Sequence, residues 1–230
     1  MFERVDDCGR GQVNADAAET AAWNRAFASP ELVERRRRTY EIKLGRLLPP
    51  LSEPLPGYTL DIACGHGDAL RVLARHGQQR LIGLDMSCPT GDARPYDQVV
   101  ANGTHLPFAG ESFERIMCLH SLHHFRCFEH IGQLLAECRR VLRRGGYLYL
   151  LDHWGSFWLR GLFRVLEWRC PLYPASAQRF GEQLREEHDA IFWWLAEWKQ
   201  LYEALREAGF VIEWQSRTAT FLYLRCRADE

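Results

Sequence analysis

The sequence predicts an α/β fold in which a mostly parallel sheet is covered by helices on both faces. Between residues 58 and 152, short apolar stretches alternate with stretches of helical periodicity. YTLDIA, RLIGLDMS and YLYLLD have the length and composition of buried strands, whereas GDALRVLARHG and FEHIGQLLAECRRVLRRGG carry apolar residues on one helical face. Strands that alternate with helices are typical of a parallel sheet with both faces buried.

The remaining strands have a less distinct apolar pattern but continue the same alternation of strands and helices. YDQVVANG contains a third strand and FERIMCLHS a fourth, which makes YLYLLD the fifth. Towards the end of the chain, LYEALREAGFVIEWQSRTATFLYLRC predicts one more helix and two strands separated by a turn. The first helix should stop at Gly77 and the second at Gly145 and Gly146, because glycine is the usual residue just past a helix end.

The regions outside the alternation define the other parts of the chain. At the N-terminus, Asn14 can cap a helix and Pro49-Pro50 must end one. The four predicted parts are an N-terminal helical segment with a linker (1–57), the sheet core (58–152), an aromatic-rich helical lid inserted after the fifth strand (153–195), and a helix and strand pair that complete the core (196–230).

Composition excludes several classes of protein. The 230 residues carry a net charge of −1 and a sequence pI of about 6.8, so no global field attracts nucleic acid. No apolar run reaches the roughly 20 residues needed to span a bilayer, and none resembles a signal peptide. We therefore expect a cytoplasmic protein without stable membrane insertion, a monomer or homodimer, whose eight scattered cysteines are reduced.

The turn after the first strand, LDIACGHGDAL, predicts a ligand site. In an open parallel sheet, ligands bind outside the carboxyl ends of the strands. Gly65 and Gly67 allow unusual backbone angles and a close approach of a ligand to the backbone. Asp61 precedes the turn, and an acid there disfavours a pyrophosphate but suits a cation. S-adenosylmethionine (SAM), which carries an ammonium and a sulfonium, therefore fits better than NAD.

Three further motifs accompany the glycine turn. Asp85 ends the second strand eighteen residues after Gly67, where a carboxylate can accept both ribose hydroxyls. ANGTHLPF (101–108) follows the third strand, and SFERIMCLHSLHHF (112–125) contains the fourth strand and its exit. With these motifs, the chain resembles the class I SAM-dependent methyltransferases, in particular the small-molecule, type-11-like subgroup with LD-x-A-C-G-x-G, LPF…SF and LHH.

The resemblance implies a Rossmann-like, seven-stranded sheet and a role for each motif residue. Asn102 stands where the family usually has Asp, and its carbonyl can still accept a bond from the adenine amino group. The segment SCPTGDARPYDQ (87–98) holds two prolines where the family has a helix, so a loop is expected. The implied cofactor-binding residues are Asp61, Ala63, Cys64, Gly65 and Gly67 for the methionine part, Asp85 for the ribose, Met86, Asn102 and Gly103 for the adenine, and Leu119 and His120 beside the methionine tail.

A base is needed if the acceptor is a hydroxyl, and histidine has a suitable pKa. His120 and His124 follow the fourth strand and are the candidate catalytic residues, although a structural role for either remains open. Asp152 and His153 follow the fifth strand and are the other candidates. The cysteines and histidines between Cys118 and His130 lack the tight, repeated spacing of a zinc site, so no metal is expected.

The lid carries five tryptophans, of which Trp154 and Trp158 are predicted to bind the acceptor. The expected activity is methyl transfer to a small, largely apolar or aromatic metabolite, at oxygen or nitrogen. One alternative is carbon methylation of a quinone or lipid precursor at a membrane surface, since SFWLRGLFRVLEWR can form an interfacial amphipathic helix. The other is a protein of this fold that binds the cofactor without methyl transfer.

Overall fold

A computed structural model describes residues 30–51, 53, 56–87, 94–125, 127–168, 170, 172–173 and 175–229. The helical segment predicted before residue 30, including the cap at Asn14, lies outside these residues. Most of the loop predicted between the second and third strands does so too.

The sheet has seven strands in the order β3-β2-β1-β4-β5-β7-β6. Neighbours pair in parallel from β3 to β5, whereas β7 pairs antiparallel with both β5 and β6. This confirms the mostly parallel α/β fold. The strands are β1 (Thr59–Ile62), β2 (Leu81–Asp85), β3 (Asp97–Val100), β4 (Phe113–Leu119), β5 (Leu142–His153), β6 (Phe210–Arg217) and β7 (Phe221–Ala228).

The helices lie on both faces of this sheet. Those of the described residues are α1 (Pro30–Leu47), α2 (Asp68–Arg75), α3 (Phe128–Val141), α4 (Phe157–Leu166), α5 (Ala175–Glu186), α6 (His188–Glu197) and α7 (Leu201–Glu207), with short 3-10 segments at Leu122–Phe125 and Trp198–Gln200. Among them, no helix is both long enough and apolar enough to cross a bilayer.

One helix end differs from the prediction. We expected the second core helix to run to Gly145, but α3 ends at Val141 and β5 begins at Leu142. Leu142 is fully buried, has extended backbone angles and pairs with Phe113 of β4. Packing and strand pairing therefore prevail over the local helical pattern of Arg143 and Arg144.

The alternation of side chains along the strands divides the core into two layers. Ile116, Cys118, Leu148 and Leu150 belong to the layer that also contains the buried face of α3 and the lid residue Trp194. Met117, Leu119, Tyr149 and Leu151 belong to the opposite layer, with Leu44 and Leu47 of α1 and the buried face of α2. Because both faces are covered, the ends of the parallel strands are the places where polar side chains converge.

The register brings those ends to one edge of the sheet. Ile62 pairs with Leu84 on one side and Cys118 on the other, and Leu119 pairs with Leu151. The residues that follow these positions therefore share the carboxyl edge, where the ligand was expected.

Candidate active site

The glycine turn has the left-handed backbone that its sequence predicts. Gly65 has φ of 51° and Gly67 has φ of 70°. A Cβ at Gly67 would collide with the Tyr96 hydroxyl, whereas a Cβ at Gly65 would meet nothing within 4 Å. Gly67 is therefore required by packing, and Gly65 leaves open space beside the backbone that a ligand can fill.

Two non-glycine residues at this edge adopt the same strained conformation. Ala63, after β1, has φ of 54°, and His120, after β4, has φ of 57°. Left-handed angles cost non-glycine residues free energy and tend to occur at functional sites. The strain therefore marks the ends of the two central strands that flank the expected cofactor position.

Asp85 supports the turn directly. Its Oδ2 accepts a hydrogen bond from the Gly65 N–H at 2.9 Å, and its Oδ1 accepts from the Ser87 N–H at 3.0 Å. A carboxylate has about four lone-pair sites, so acceptance from ribose hydroxyls remains compatible with these bonds. The predicted ribose role of Asp85 stays a prediction.

Asp61 gives the site its preference for a positive charge. Its side chain is only 3% exposed. Burial raises the pKa of Asp61 well above its usual range, and the charges of Asp85 and Asp68 raise it further. A cationic ligand would relieve this repulsion, so the residues present fit the ammonium and sulfonium of SAM.

The predicted adenine side is more open. Met86 is 57% exposed beyond β2. The Asn102 Oδ1 accepts a hydrogen bond from the Thr104 N–H at 3.0 Å, which closes a tight turn. Gly103 is buried, and a Cβ there would press on Ile62 and Leu134. Asn102 thus shapes the loop after β3, and its contact with adenine stays a prediction, as do those of Met86 and Gly103.

His120 lies at the centre of the carboxyl edge, just after the buried Leu119. Its N–H donates to the Leu151 carbonyl at 2.6 Å, and its ring packs edge-on against Phe221 at 4.9 Å between centroids. Burial lowers the pKa of His120 well below its usual range, and the nearby charge of Lys43 lowers it further. The imidazole is therefore neutral and can accept a hydrogen bond or a proton.

His123 has the opposite charge state. It is 4% exposed, and its Nδ1 lies 2.9 Å and 3.1 Å from the two carboxylate oxygens of Asp152. Burial alone lowers the pKa of His123, but Asp152 and Glu187 outweigh burial and raise it to about 10. Burial likewise raises the pKa of Asp152, but the His123 charge outweighs burial and holds it below its usual range.

This buried ion pair was not predicted. The sequence placed His123 only in a loose group of cysteines and histidines, and Asp152 only among possible bases. The position of Asp152 at the end of β5 was the available signal, but nothing local indicates which histidine it holds.

The predicted catalytic residue His124 is exposed, and its ring lies 4.2 Å from that of His123. Ligand atoms of His123, His124 and Glu187 lie within 4.8 Å of one another. In the part of the chain that the structure describes, this is the one group with the spacing of a metal site. The expectation of no metal stays a prediction. Cys118 lies apart from this group, with its Sγ 3.1 Å from the Ser121 hydroxyl.

The lid segment is helical, and its tryptophans differ in environment. Trp154 is half-buried, donates from Nε1 to the Thr218 carbonyl at 2.9 Å and packs on Trp198. Trp158 is 81% exposed. Trp194, to which the sequence assigned no role, is fully buried and donates to the His153 carbonyl at 2.7 Å. Acceptor contacts for Trp154 and Trp158 stay predictions, because in this structure one is a packing residue and the other faces solvent.

Comparison with known proteins agrees with this arrangement. Residues 60–150 match the family described as "Methyltransferase domain". The chain is 33% identical over 132 residues to phthiotriol/phenolphthiotriol dimycocerosates methyltransferase 1 of Mycobacterium ulcerans, a match that covers 54% of this chain and 45% of that protein. It is 34% identical over 113 residues to demethylmenaquinone methyltransferase of Thermotoga maritima, covering 46% of this chain and 48% of that protein.

The chain therefore spans about half the length of these curated relatives. Among solved structures, a chain in the complex of the Haloferax volcanii Trm112 methyltransferase activator with a methyltransferase superposes with a TM-score of 0.62 at 17% identity, covering 93% of this chain and 97% of that one. Residues 60–150 therefore belong to the methyltransferase domain family, and the chain has the fold of the class I SAM-dependent methyltransferases.

Proposed function

We propose that this protein transfers a methyl group from SAM to a small, largely apolar or aromatic acceptor, with oxygen or nitrogen as the acceptor atom. The observation that carries the proposal is that Asp61 and His120 lie in two different electrostatic environments at the carboxyl edge of the sheet. The buried Asp61 beside the Gly65 turn favours a cation, and the neutral His120 at the end of β4 faces the same edge.

The residues of the chain supply mainly position and charge. SAM, when bound, supplies a methyl carbon already activated by the sulfonium. Gly65 offers backbone space, and Asp61 offers a carboxyl group that a cationic ligand would keep ionised. Lys43 of α1 and Phe163 of the lid contact the histidines of the same edge. Holding the two reactants in line can remove about 7–11 kcal/mol from the barrier.

The apolar nature of the acceptor is supported by the lid and by the relatives. The inner face of α4 contributes Leu159 and Phe163 to the core, and Phe163 packs edge-on against His153 at the carboxyl edge, 5.3 Å between centroids. The names of the two curated relatives specify a lipid and a quinone precursor as their substrates. Both kinds of molecule are largely apolar, which agrees with an aromatic-rich enclosure.

A second candidate, carbon methylation of a quinone or lipid precursor at a membrane surface, is favoured by the outer face of α4. Phe157 is 80% exposed, Trp158 is 81% exposed, and both Leu162 and Val165 are 48% exposed. Arg164 lies on the same helix, 5.8 Å from the centroid of the Phe192 ring. Exposed aromatic and aliphatic residues beside arginine are typical of helices that lie in a bilayer interface.

The test of the first proposal has two steps. Calorimetry with S-adenosylhomocysteine measures cofactor binding. Radiolabelled methyl transfer from SAM to a hydroquinone, a long-chain alkylphenol and an aromatic amine is then followed by organic extraction. Binding with transfer supports a methyltransferase. Binding without transfer to any acceptor favours the non-methylating alternative, and the absence of binding overturns the cofactor assignment.

Sedimentation with anionic and neutral vesicles distinguishes methyl transfer to a dissolved acceptor from methyl transfer at a membrane surface. The membrane-surface candidate predicts that the protein pellets with vesicles and that Trp158→Glu releases it. A protein that stays in the supernatant with both kinds of vesicle acts on a dissolved acceptor. The cytoplasmic location and the monomeric or homodimeric state expected from the sequence remain part of the proposal.

A further inference from the structure

Lys43 places an amine in the candidate active site from outside the methyltransferase domain. It lies on α1, and its Nζ is 2.7 Å from the Nε2 of His120. The amine also lies 4.5 Å from the centroid of the Phe221 ring and 5.3 Å from that of Tyr40. These contacts hold the amine at the edge where β4 ends, beside the strained backbone of His120.

The groups around this amine favour its neutral form. Burial lowers the pKa of Lys43 to about 8, and the negative charge of Asp152 opposes this only in part. His120 from the β4 exit and His153 from β5 both have lowered pKa values, so both are neutral imidazoles that cannot pair with an ammonium as counter-ions. β7 contributes the uncharged Phe221, and α1 itself contributes Tyr40, whose pKa burial raises.

Asp152 is the carboxylate whose charge raises the pKa of Lys43, but it already forms an ion pair with His123. Both of its oxygens lie within about hydrogen-bond distance of the His123 ring, whose cation it neutralises. Among the described residues, Lys43 therefore has no carboxylate partner of its own, and its amine contacts an imidazole and two aromatic rings.

The choice of residue at this position is unusual for this chain. The sequence holds 29 lysines and arginines together, and only Lys43 and Lys199 are lysine. An arginine cannot lose its proton in a protein, whereas a lysine amine can when it is buried. The position that faces His120 thus holds a lysine, which can act as a base, rather than an arginine, which cannot.

We propose that Lys43 is the general base that removes the proton from the acceptor, and that His120 positions its amine by accepting a hydrogen bond at Nε2. The proposal rests on the proposed function and assigns a residue to its proton transfer. The positive sulfonium of bound SAM would favour the neutral amine further, since like charges at short range disfavour each other.

The proton and electrons balance in one displacement. The lone pair of the Lys43 amine takes the acceptor hydroxyl proton as the O–H bond breaks. The oxygen forms a bond to the methyl carbon, and the electron pair of the breaking C–S bond returns to sulfur, leaving a neutral thioether. The Lys43 ammonium then returns its proton to water.

The first test measures the protonation of Lys43 without any turnover. Trace acetylation with acetic anhydride from about pH 6 to about pH 11, read by mass spectrometry, gives a labelling midpoint for each lysine. Lys199 is exposed and is the internal reference. We expect a lower midpoint for Lys43 than for Lys199, and a further fall of about one pH unit with SAM relative to neutral S-adenosylhomocysteine. Equal midpoints, or the same midpoint with both ligands, would overturn the proposal.

The second test separates a base from a fixed positive charge. Lys43→Arg keeps the charge and should lower kcat by about 10²–10⁴-fold, whereas Lys199→Arg, the matched control, should leave it unchanged. His120→Gln keeps an acceptor for the amine and should lower kcat less than Lys43→Arg does. Ethylamine should partly restore turnover to Lys43→Ala. Full activity of Lys43→Arg would overturn the proposal and leave His120 as the base.

Failure of this proposal can be told apart from failure of the proposed function. Calorimetry should give wild-type affinity of Lys43→Arg for S-adenosylhomocysteine, which shows that the variant is folded, and a wild-type melting temperature for Lys199→Arg. If the wild type binds no S-adenosylhomocysteine, the proposed function fails and this proposal fails with it. If it binds and the Lys43 midpoint does not differ from that of Lys199, this proposal alone is overturned.

Discussion

The carboxyl edge of the sheet has two halves that are built in different ways. The cofactor half consists of the turn from Ala63 to Gly67 and the Asp85 carboxylate that accepts from it, all within one strand–helix–strand unit. The histidine half combines Lys43 from α1, His120 and His123 from the β4 exit, Asp152 from β5 and Glu187 from the lid. Backbone geometry dominates the first half, and side-chain electrostatics dominates the second.

The two halves therefore differ in what controls their chemistry. In the cofactor half, a short motif dictates the shape of the turn wherever it occurs. In the histidine half, His120 and His123 are three residues apart in sequence, yet one has a lowered and the other a raised pKa. The two histidines show that a residue type and its place at a strand end do not define its protonation state, because the charged partners come from distant elements.

The largest expected effect is on the ion pair of the histidine half. Asp152→Asn removes the partner of a buried cation, and breaking a buried pair from one side costs about 3–5 kcal/mol of stability. Urea unfolding at neutral pH measures this change. Glu203→Gln, which breaks an exposed pair with Arg206, is the control and should cost less than about 1 kcal/mol. Equal losses in both variants would contradict the assignment of His123–Asp152 as a buried ion pair.

The same pair should make stability depend on pH. The folded pKa of His123, about 10, lies above its ordinary 6.5, so its contribution is complete below pH 6.5 and is lost as pH rises through about 10. Lys43 has a lowered pKa and contributes the opposite slope at alkaline pH. Free energies of unfolding for the wild type and His123→Gln should therefore converge as the pH rises above neutrality. Parallel pH profiles for the two proteins would rule out a raised His123 pKa.

A smaller effect is expected in the cofactor half. Asp85→Ala removes the acceptor of the Gly65 and Ser87 N–H groups and the predicted ribose contact. S-adenosylhomocysteine affinity should fall about ten-fold or more, corresponding to about 1.5–3 kcal/mol. Asp97→Ala, at the exposed start of β3, is the control and should bind normally in calorimetry. If Asp85→Ala binds as tightly as the wild type, Asp85 neither contacts the cofactor nor holds its turn.

The smallest expected effect is on the surface of the lid. Trp158→Ala should change stability by less than about 0.5 kcal/mol, because the side chain is 81% exposed. Trp154→Ala should cost about 2 kcal/mol, because it removes a hydrogen bond and packing on Trp198. Urea unfolding compares the two. Loss of vesicle binding or a raised KM in Trp158→Ala, without loss of stability, would assign the outer face of α4 to a membrane or to the acceptor.

Prediction from sequence was most complete where the pattern is local. The strand–helix alternation identified the strands of the sheet, and the glycine turn and Asp85 were placed at its carboxyl edge before any contact was known. The main error concerned the end of α3. Arg143 and Arg144 continue a helical pattern, but Leu142 pairs with β4 as a strand residue. A local propensity of a few tenths of a kcal/mol per residue cannot compete with the burial of a leucine.

Local sequence was enough to predict the order of elements, the backbone freedom at Gly65 and Gly67, and the acidic character of the cofactor turn, because each depends on residues that are close along the chain. The folded packing was needed to show that Lys43 contacts His120, that Asp152 pairs with His123 rather than His124, and that Trp194 is buried while Trp158 is exposed. These outcomes depend on contacts between elements far apart in sequence. Periodicity and spacing carry no information about such contacts until the packing of the helices on the sheet brings the residues together.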